Sequence, residues 1–185
     1  MNPSDAVRFQ FDSASALIDG VRLDQLDAPT PCSEWSVRDL INHLAAGSEV
    51  FGILLAGGDA ELPASPPDLI GDDPVGVFAR CRTVFTDGLN SPGALDRQID
   101  LPMGTVPAGV LVDLLKFDVL VHCHDLARAT GQSFDPPADV VAEAQAIAEG
   151  AADGLRAAGA LAPAVDAGPD ATPIEELSAF CGRQI

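Results

Sequence analysis

The stretch from Pro107 to Gly131 constrains the fold more than any other part of this chain. Leu111, Leu115, Asp118, His122, Asp125 and Ala129 recur there at alternating steps of four and three, which puts all six on one face of an α-helix. The face is apolar at its ends and polar in its middle. A carboxylate or imidazole in a core-facing stripe forfeits its hydration unless it is paired or bound to a metal. Whatever packs against this helix therefore has to bring partners for Asp118, His122 and Asp125.

The remaining periodicities supply the packing elements. Val7, Phe11, Ala14, Ile18 and Val21 predict a first amphipathic helix that ends before Ala28-Pro29-Thr30-Pro31. A second begins at Ser36, an N-cap with Asp39 three residues on, and ends at Gly57-Gly58; Trp35 and Leu40 are spaced for a hydrophobic staple. Its inner face runs Val37, Leu40, Ile41, Leu44, Val50 or Phe51, and Leu54, with His43 on or beside that stripe. Asp73 and Pro74 open a third helix carrying Phe78, Cys81, Phe85 and Leu89, which stops at Asn90-Ser91-Pro92-Gly93. The Pro107–Thr130 helix is the fourth. A fifth runs from Pro136-Pro137 through Val140, Ala144, Ile147, Ala151 and Leu155 to Gly159, and Thr172-Pro173-Ile174-Glu175 caps a short last helix closed by Gly182. Residues 57–73 read as a surface loop, and residues 96–107 as either a brief hairpin or an irregular crossover. No segment has a clear sheet signature. The expected fold is all-α: a single domain over residues 1–185, built as a four-helix bundle with a short C-terminal helix.

Charge narrows the partners. Asp and Glu outnumber Lys and Arg by 28 to 10, and a formal charge of −18 opposes binding to nucleic acid or an anionic membrane. The first residues have neither a basic region nor a continuous apolar run, and nothing approaches the roughly 20 apolar residues that span a bilayer. A cytoplasmic protein is expected. Cys32, Cys81, Cys123 and Cys181 form no CxxC pair, which fits reduced thiols buried as small apolar residues.

Asp118 and His122, at i and i+4, can present an oxygen and a nitrogen to one cation, and His43 on the second helix can complete the set. Two histidines and one carboxylate leave coordination positions open, as reactive metal sites do. The competing reading makes His43 a hydrogen-bonded core histidine and Asp118 with His122 an ordinary within-helix ion pair. Two of the chain's three histidines stand in these positions, which favours the metal. The third, His124, points about 200° around the helix from His122 and is expected to support the site indirectly or face solvent.

Thr30-Pro31-Cys32-Ser33-Glu34-Trp35-Ser36-Val37-Arg38-Asp39-Leu40-Ile41-Asn42-His43-Leu44, then Asp118-x-x-x-His122-x-x-Asp125-Leu126-Ala127-Arg128-Ala129-Thr130-Gly131, then Phe180-Cys181-Gly182-Arg183, resemble the mycothiol-dependent maleylpyruvate isomerase N-terminal-like proteins of the DinB superfamily. The resemblance implies a DinB-like four-helix bundle holding a divalent ion on His43, Asp118 and His122. It also brings two departures: Asp118 stands where the isomerases have Glu, and His124 where relatives carry Trp. The isomerases add a C-terminal domain, whereas only a short helix and Gly-Arg-Gln-Ile follow here, so their substrate does not carry over.

The function this implies is that of a metal-dependent enzyme, a thiol transferase or isomerase, using a low-molecular-weight thiol such as mycothiol against an electrophilic substrate. Zinc is the expected ion, with nickel and iron as alternatives. The ion would lower the thiol pKa; Trp35 and Arg128 are the candidate cofactor-binding residues, Arg128 facing a substrate carboxylate. No catalytic residue is assigned, and a homodimer is compatible with the sequence. Two other functions share the same three ligands: a non-catalytic module in which the ion ties two helices together, and a hydrolase activating water with Asp125 as its base. For Asp125, Arg128 and Trp35 the structural readings are a hydrogen bond, a helix-end cation and core packing.

Overall fold

Helix boundaries fall where the capping chemistry puts them. The structure, a computed structural model, describes residues 3–61, 67–101 and 104–185, with side chains from residue 7 onward. Its helices are α1 (Pro3–Asp19), α2 (Val37–Leu55), α3 (Pro74–Leu89), α4 (Ala108–Thr130), α5 (Ala138–Ala157) and α6 (Pro173–Phe180). At the head of α2 the Asp39 N–H donates to Ser36 Oγ at 3.2 Å and the Ser36 N–H donates back to Asp39 Oδ2 at 2.9 Å. Asp73 caps α3 and Glu175 closes the box with Thr172 on α6. Gly57 and Gly131 end α2 and α4 at φ of +87° and +72°, left-handed values that only glycine adopts freely. α1 stops at Asp19, short of Val21, because Gln132 donates to the Leu17 carbonyl at 2.9 Å and ties the end of α1 to the turn after α4.

α1 and α2 each pack on both α3 and α4, making the expected four-helix arrangement. Phe11 stacks between Phe78 and Phe85, with centroids 6.2 and 4.8 Å away, and Leu40, Ile41, Leu44, Leu115 and Leu126 fill the same core. A second core lies outside the bundle. There α5 packs on α4, and α6 packs on both, around Phe117, Leu120, Val121, Val140 and Leu177. α4 is thus sandwiched, with buried residues toward the bundle and toward α5 and α6 alike. The buried face of α5 is made by Val140, Val141, Ala144, Ala148 and Ala152, while Ile147 and Leu155 lie half-buried at its edge.

Residues 98–107 resolve the choice between hairpin and crossover. β1 (Gln98–Leu101) and β2 (Gly104–Pro107) pair antiparallel with Ile99 opposite Val106. Ile99 is buried, Thr105 donates to Asp100 across the ladder at 2.6 Å, and the Ala108 N–H donates to Arg97 O at 3.0 Å, leading the pairing directly into α4. The hairpin tip (102–103) and the middle of the expected surface loop (62–66) lie outside the described residues. The arm of that loop returning to α3 is not free surface: Ile70 is buried, and Asn42 Oδ1 accepts the N–H groups of Leu69 and Ile70 at 2.8 and 3.1 Å. Among the described residues no helix is long and apolar enough to cross a membrane.

α2 and α3 cross at Gly52 and Gly88, where a Cβ on Gly88 would meet the Gly52 carbonyl and one on Gly52 the backbone of Val84 and Phe85. Gly88→Ala is expected to destabilise by about 1–3 kcal/mol through overpacking. Gly150→Ala, in the middle of α5 with open space around the added methyl, should stabilise by up to about 1 kcal/mol. Urea titrations followed by far-ultraviolet circular dichroism give both values, and equal effects would contradict the close crossing.

Candidate metal centre

The phase of α2 that buries Leu40 and Leu44 leaves His43 at the edge of the core, facing α4. His43 Nε2 lies 3.1 and 3.3 Å from the two Asp118 oxygens, and His122 Nε2 lies 3.3 Å from Asp118 Oδ1. Tetrahedral coordination with metal–ligand bonds of about 2.1 Å separates neighbouring donors by roughly 3.4 Å. The two histidine-to-carboxylate separations fall near that value, the three donor atoms lie within 4.8 Å of one another, and the set of two imidazole nitrogens and one carboxylate oxygen suits zinc, nickel or iron(II). Side-chain exposures of 31% for His43 and 35% for Asp118, against 5% for His122, leave the site open on the side of the first two.

Behind the donors lies a second layer. His122 Nδ1 is 3.0 Å from Asp125 Oδ2, and Asp125 is fully buried. A bond from Nδ1–H to this carboxylate leaves Nε2 free to face the candidate site. The turn ahead of α2 supplies one wall. Thr30 donates to the Trp35 carbonyl through its N–H at 3.1 Å and its hydroxyl at 2.9 Å, and Glu34 is held at φ +77°. A non-glycine residue there costs about 1–2 kcal/mol, and the turn it allows lays Trp35 over both imidazoles, 4.8 Å from His43 and 5.4 Å from His122 between centroids.

The same turn brings in Cys32. Its Sγ, a nitrogen of His122 and an oxygen of Asp125 form a second group of converging donors. That group already has its cation: Arg183 Nη2 lies 3.2 Å from Asp125 Oδ2 and donates to Cys32 Sγ at 3.7 Å. A metal there would face a guanidinium, so His43, Asp118 and His122 are the better-suited set. Cys81, Cys123 and Cys181 are buried as expected, whereas Cys32 is half-buried.

The other sequence candidates lie elsewhere. His124 is buried toward α6, not exposed, with Nδ1 2.7 Å from Ser178 Oγ. Arg128 pairs with Glu175 on α6 at 3.6 Å. The residue that sequence reasoning missed is Arg183, quoted only as part of Phe180-Cys181-Gly182-Arg183. A helix-stop glycine followed by a lone Arg, in a chain whose Asp125 needed a partner, was the available signal.

Charge coupling runs through the cluster. Burial raises the Asp118 carboxyl, but His43 and His122 outweigh it and hold the group far below the usual carboxylate range. Burial lowers His122, yet Asp118 and Asp125 raise it to about 9. Burial raises Asp125, but His122 and Arg183 bring it below its ordinary value. The two depressed carboxyls stabilise the fold above their unfolded pKa of about 3.9 and lose that contribution in acid. The raised imidazole stabilises fully below about 6.5, and the contribution is lost as pH rises through about 9. Chelator-treated protein should therefore show its highest melting temperature between about pH 4 and 6.5 and a decline toward pH 9, with metal affinity rising over that second interval as protons leave the donors. Thermal melts at pH 6, 7.5 and 9 test this; a metal-free melting temperature that rises across the series would contradict the coupling.

The chain is similar in sequence and in fold to known proteins. The family model described as the mycothiol maleylpyruvate isomerase N-terminal domain matches residues 7–127. Uncharacterized proteins of Mycobacterium tuberculosis strains CDC 1551 and H37Rv are each 37% identical over 188 residues, spanning all of this chain and all of theirs. Crystal structures of the mycothiol-dependent maleylpyruvate isomerase and of its histidine-to-alanine variant superpose with TM-scores of 0.50 and 0.53, at 16% identity, over 77% of this chain and 68% of theirs. They share its helical fold. The chain belongs to the mycothiol maleylpyruvate isomerase N-terminal domain family, with a DinB-like helical architecture.

Proposed function

We propose that this protein is a divalent-metal-dependent enzyme that acts on a low-molecular-weight thiol of the mycothiol type, with His43, Asp118 and His122 as the metal ligands. The observation that carries the reading is that imidazole nitrogens from two different helices each lie 3.1 to 3.3 Å from the Asp118 carboxylate, with one donor atom of each residue within 4.8 Å of the others. The relatives supply the thiol: the structural neighbours are mycothiol-dependent isomerases.

When bound, a divalent ion supplies Lewis acidity that lowers the pKa of a thiol or water at its free positions. The chain's residues do the rest. Asp125 accepts the His122 Nδ1–H and fixes which nitrogen faces the site. Trp35 covers one side of both imidazoles with an apolar ring and keeps water off that side. Gly47, one helical turn beyond His43, has no atom within 4 Å of where a Cβ would sit, so the face of α2 beside His43 has room for a ligand. That room, with the exposure of His43 and Asp118, favours an enzyme over a module whose ion merely ties helices together.

Elemental analysis of protein purified without chelator or metal-affinity tag tests the ligand set. Near-stoichiometric metal is expected in the wild type, falling well below stoichiometry in His43→Ala and Asp118→Ala. A wild type that takes up no zinc, nickel or iron on reconstitution would remove the reading. Gly47→Leu separates the two halves of the proposal: it should retain the metal while weakening binding of the thiol about tenfold or more, a loss of roughly 1.4 kcal/mol. Unchanged thiol affinity in that variant would place the thiol elsewhere.

A further inference from the structure

A fully buried carboxylate is the costliest feature of the candidate centre, and only one of its oxygens is matched. Asp125 Oδ2 lies 3.0 Å from His122 Nδ1, 3.3 Å from Arg183 Nε and 3.2 Å from Arg183 Nη2, while Oδ1 is buried with no hydrogen-bond partner among the described residues. Arg183 is itself 8% exposed, and its remaining amine donates to the Cys181 carbonyl at 3.1 Å. Its course into the interior is fixed by the turn before it. Gly182 sits at φ +85°, where a Cβ would press on Ala162 and the Pro163 carbonyl, and the Arg183 N–H donates to Ser178 O at 3.0 Å. The turn after α6 is thus shaped to send this one side chain between α4 and the Cys32 turn.

We propose that Arg183 is a positioning residue of the metal site: its two N–H groups fix the Asp125 carboxylate in place, so that Asp125 holds His122 with Nε2 toward the ion. The inference rests on the metal reading above and goes beyond it by bringing in a segment that contributes no ligand. Without the guanidinium, Asp125 Oδ2 would lose two of its three hydrogen-bond contacts and the carboxylate would be free to turn, depriving His122 of a fixed acceptor.

The alternative role has the opposite sign. A guanidinium this close to the donors repels a cation, so if Arg183 acted only through its own field, removing it would tighten metal binding. Positioning requires that removal weaken it. The experiment is a competition titration of zinc against a chromogenic chelator for the wild type, R183Q, R183K, D125N and the R183Q/D125N double variant, with circular dichroism of each metal-free form. The expected result is a loss of about 10–100-fold in R183Q and a similar loss in D125N. R183K, which restores the charge without the fork, should fall between R183Q and wild type. The double variant should lose little more than either single one, because the two residues act in series. Cobalt-loaded R183Q should also show an altered visible absorption band, which loss of global stability alone would not produce. Should R183Q not fold, R183K and D125N carry the comparison. Unchanged or tighter zinc binding in R183Q, or additive losses in the double variant, overturns the positioning role while leaving the three ligands intact. A wild type that binds no zinc overturns both, and is told apart from the first result by its own titration.

Discussion

Two carboxylates on a helix buried on nearly every side must be matched by charge from elsewhere, and much of this fold is arranged around that requirement. Asp118 is met by His43 from α2 and His122 from its own helix, and Asp125 by His122 and Arg183. His122 stands between the two and faces a carboxylate with each ring nitrogen. The imidazole therefore joins an outer pair that is partly open to solvent to an inner pair that is closed. A cation at the outer pair would take the place of protons, while the inner pair is already neutralised by the protein itself. This division of labour separates a site that can exchange what it holds from the support behind it.

Segments that obey local rules were legible in the sequence. The Ser36–Asp39 and Thr172–Glu175 boxes, the Asp73-Pro74 start and the stops at Gly57 and Gly131 all depend on residues within a turn of one another, and the helices begin and end there. The juxtaposition of His43, Asp118 and His122 was legible for a related reason: helical periodicity puts the last two on one face, and a histidine beside the stripe of α2 has few other places to point. What escaped was non-local. The periodic reading of α4 captured a single buried face, whereas α5 and α6 bury the opposite one as well, including His124, which reads as outward-facing only if nothing covers it. On α5 the periodic residues Val140 and Ala144 are buried, while Ile147 and Leu155 pack half-buried at the edge of the second core.

Arg183 shows the limit most clearly. The family match ends at residue 127, so it includes the three candidate ligands and Asp125 but not the cation that neutralises Asp125. Nothing local in Gly182-Arg183-Gln184-Ile185 announces an inward-pointing side chain. Only the turn at Gly182 and the need of a distant carboxylate decide it, and both are properties of the assembled fold.

The sandwiching of α4 has a consequence for the order in which such a chain can be completed on the ribosome. When residue 131 emerges, α1 to α4 can already cover one side of α4, but Phe117, Leu120 and Val121 face water until α5 and α6 follow. Arg183 arrives last of the residues around Asp125. The growing chain thus holds its apolar outer seam and its buried carboxylate uncompensated until α5, α6 and Arg183 have emerged, which makes the nascent protein dependent on those segments, and on whatever shields it meanwhile, for solubility as much as for stability.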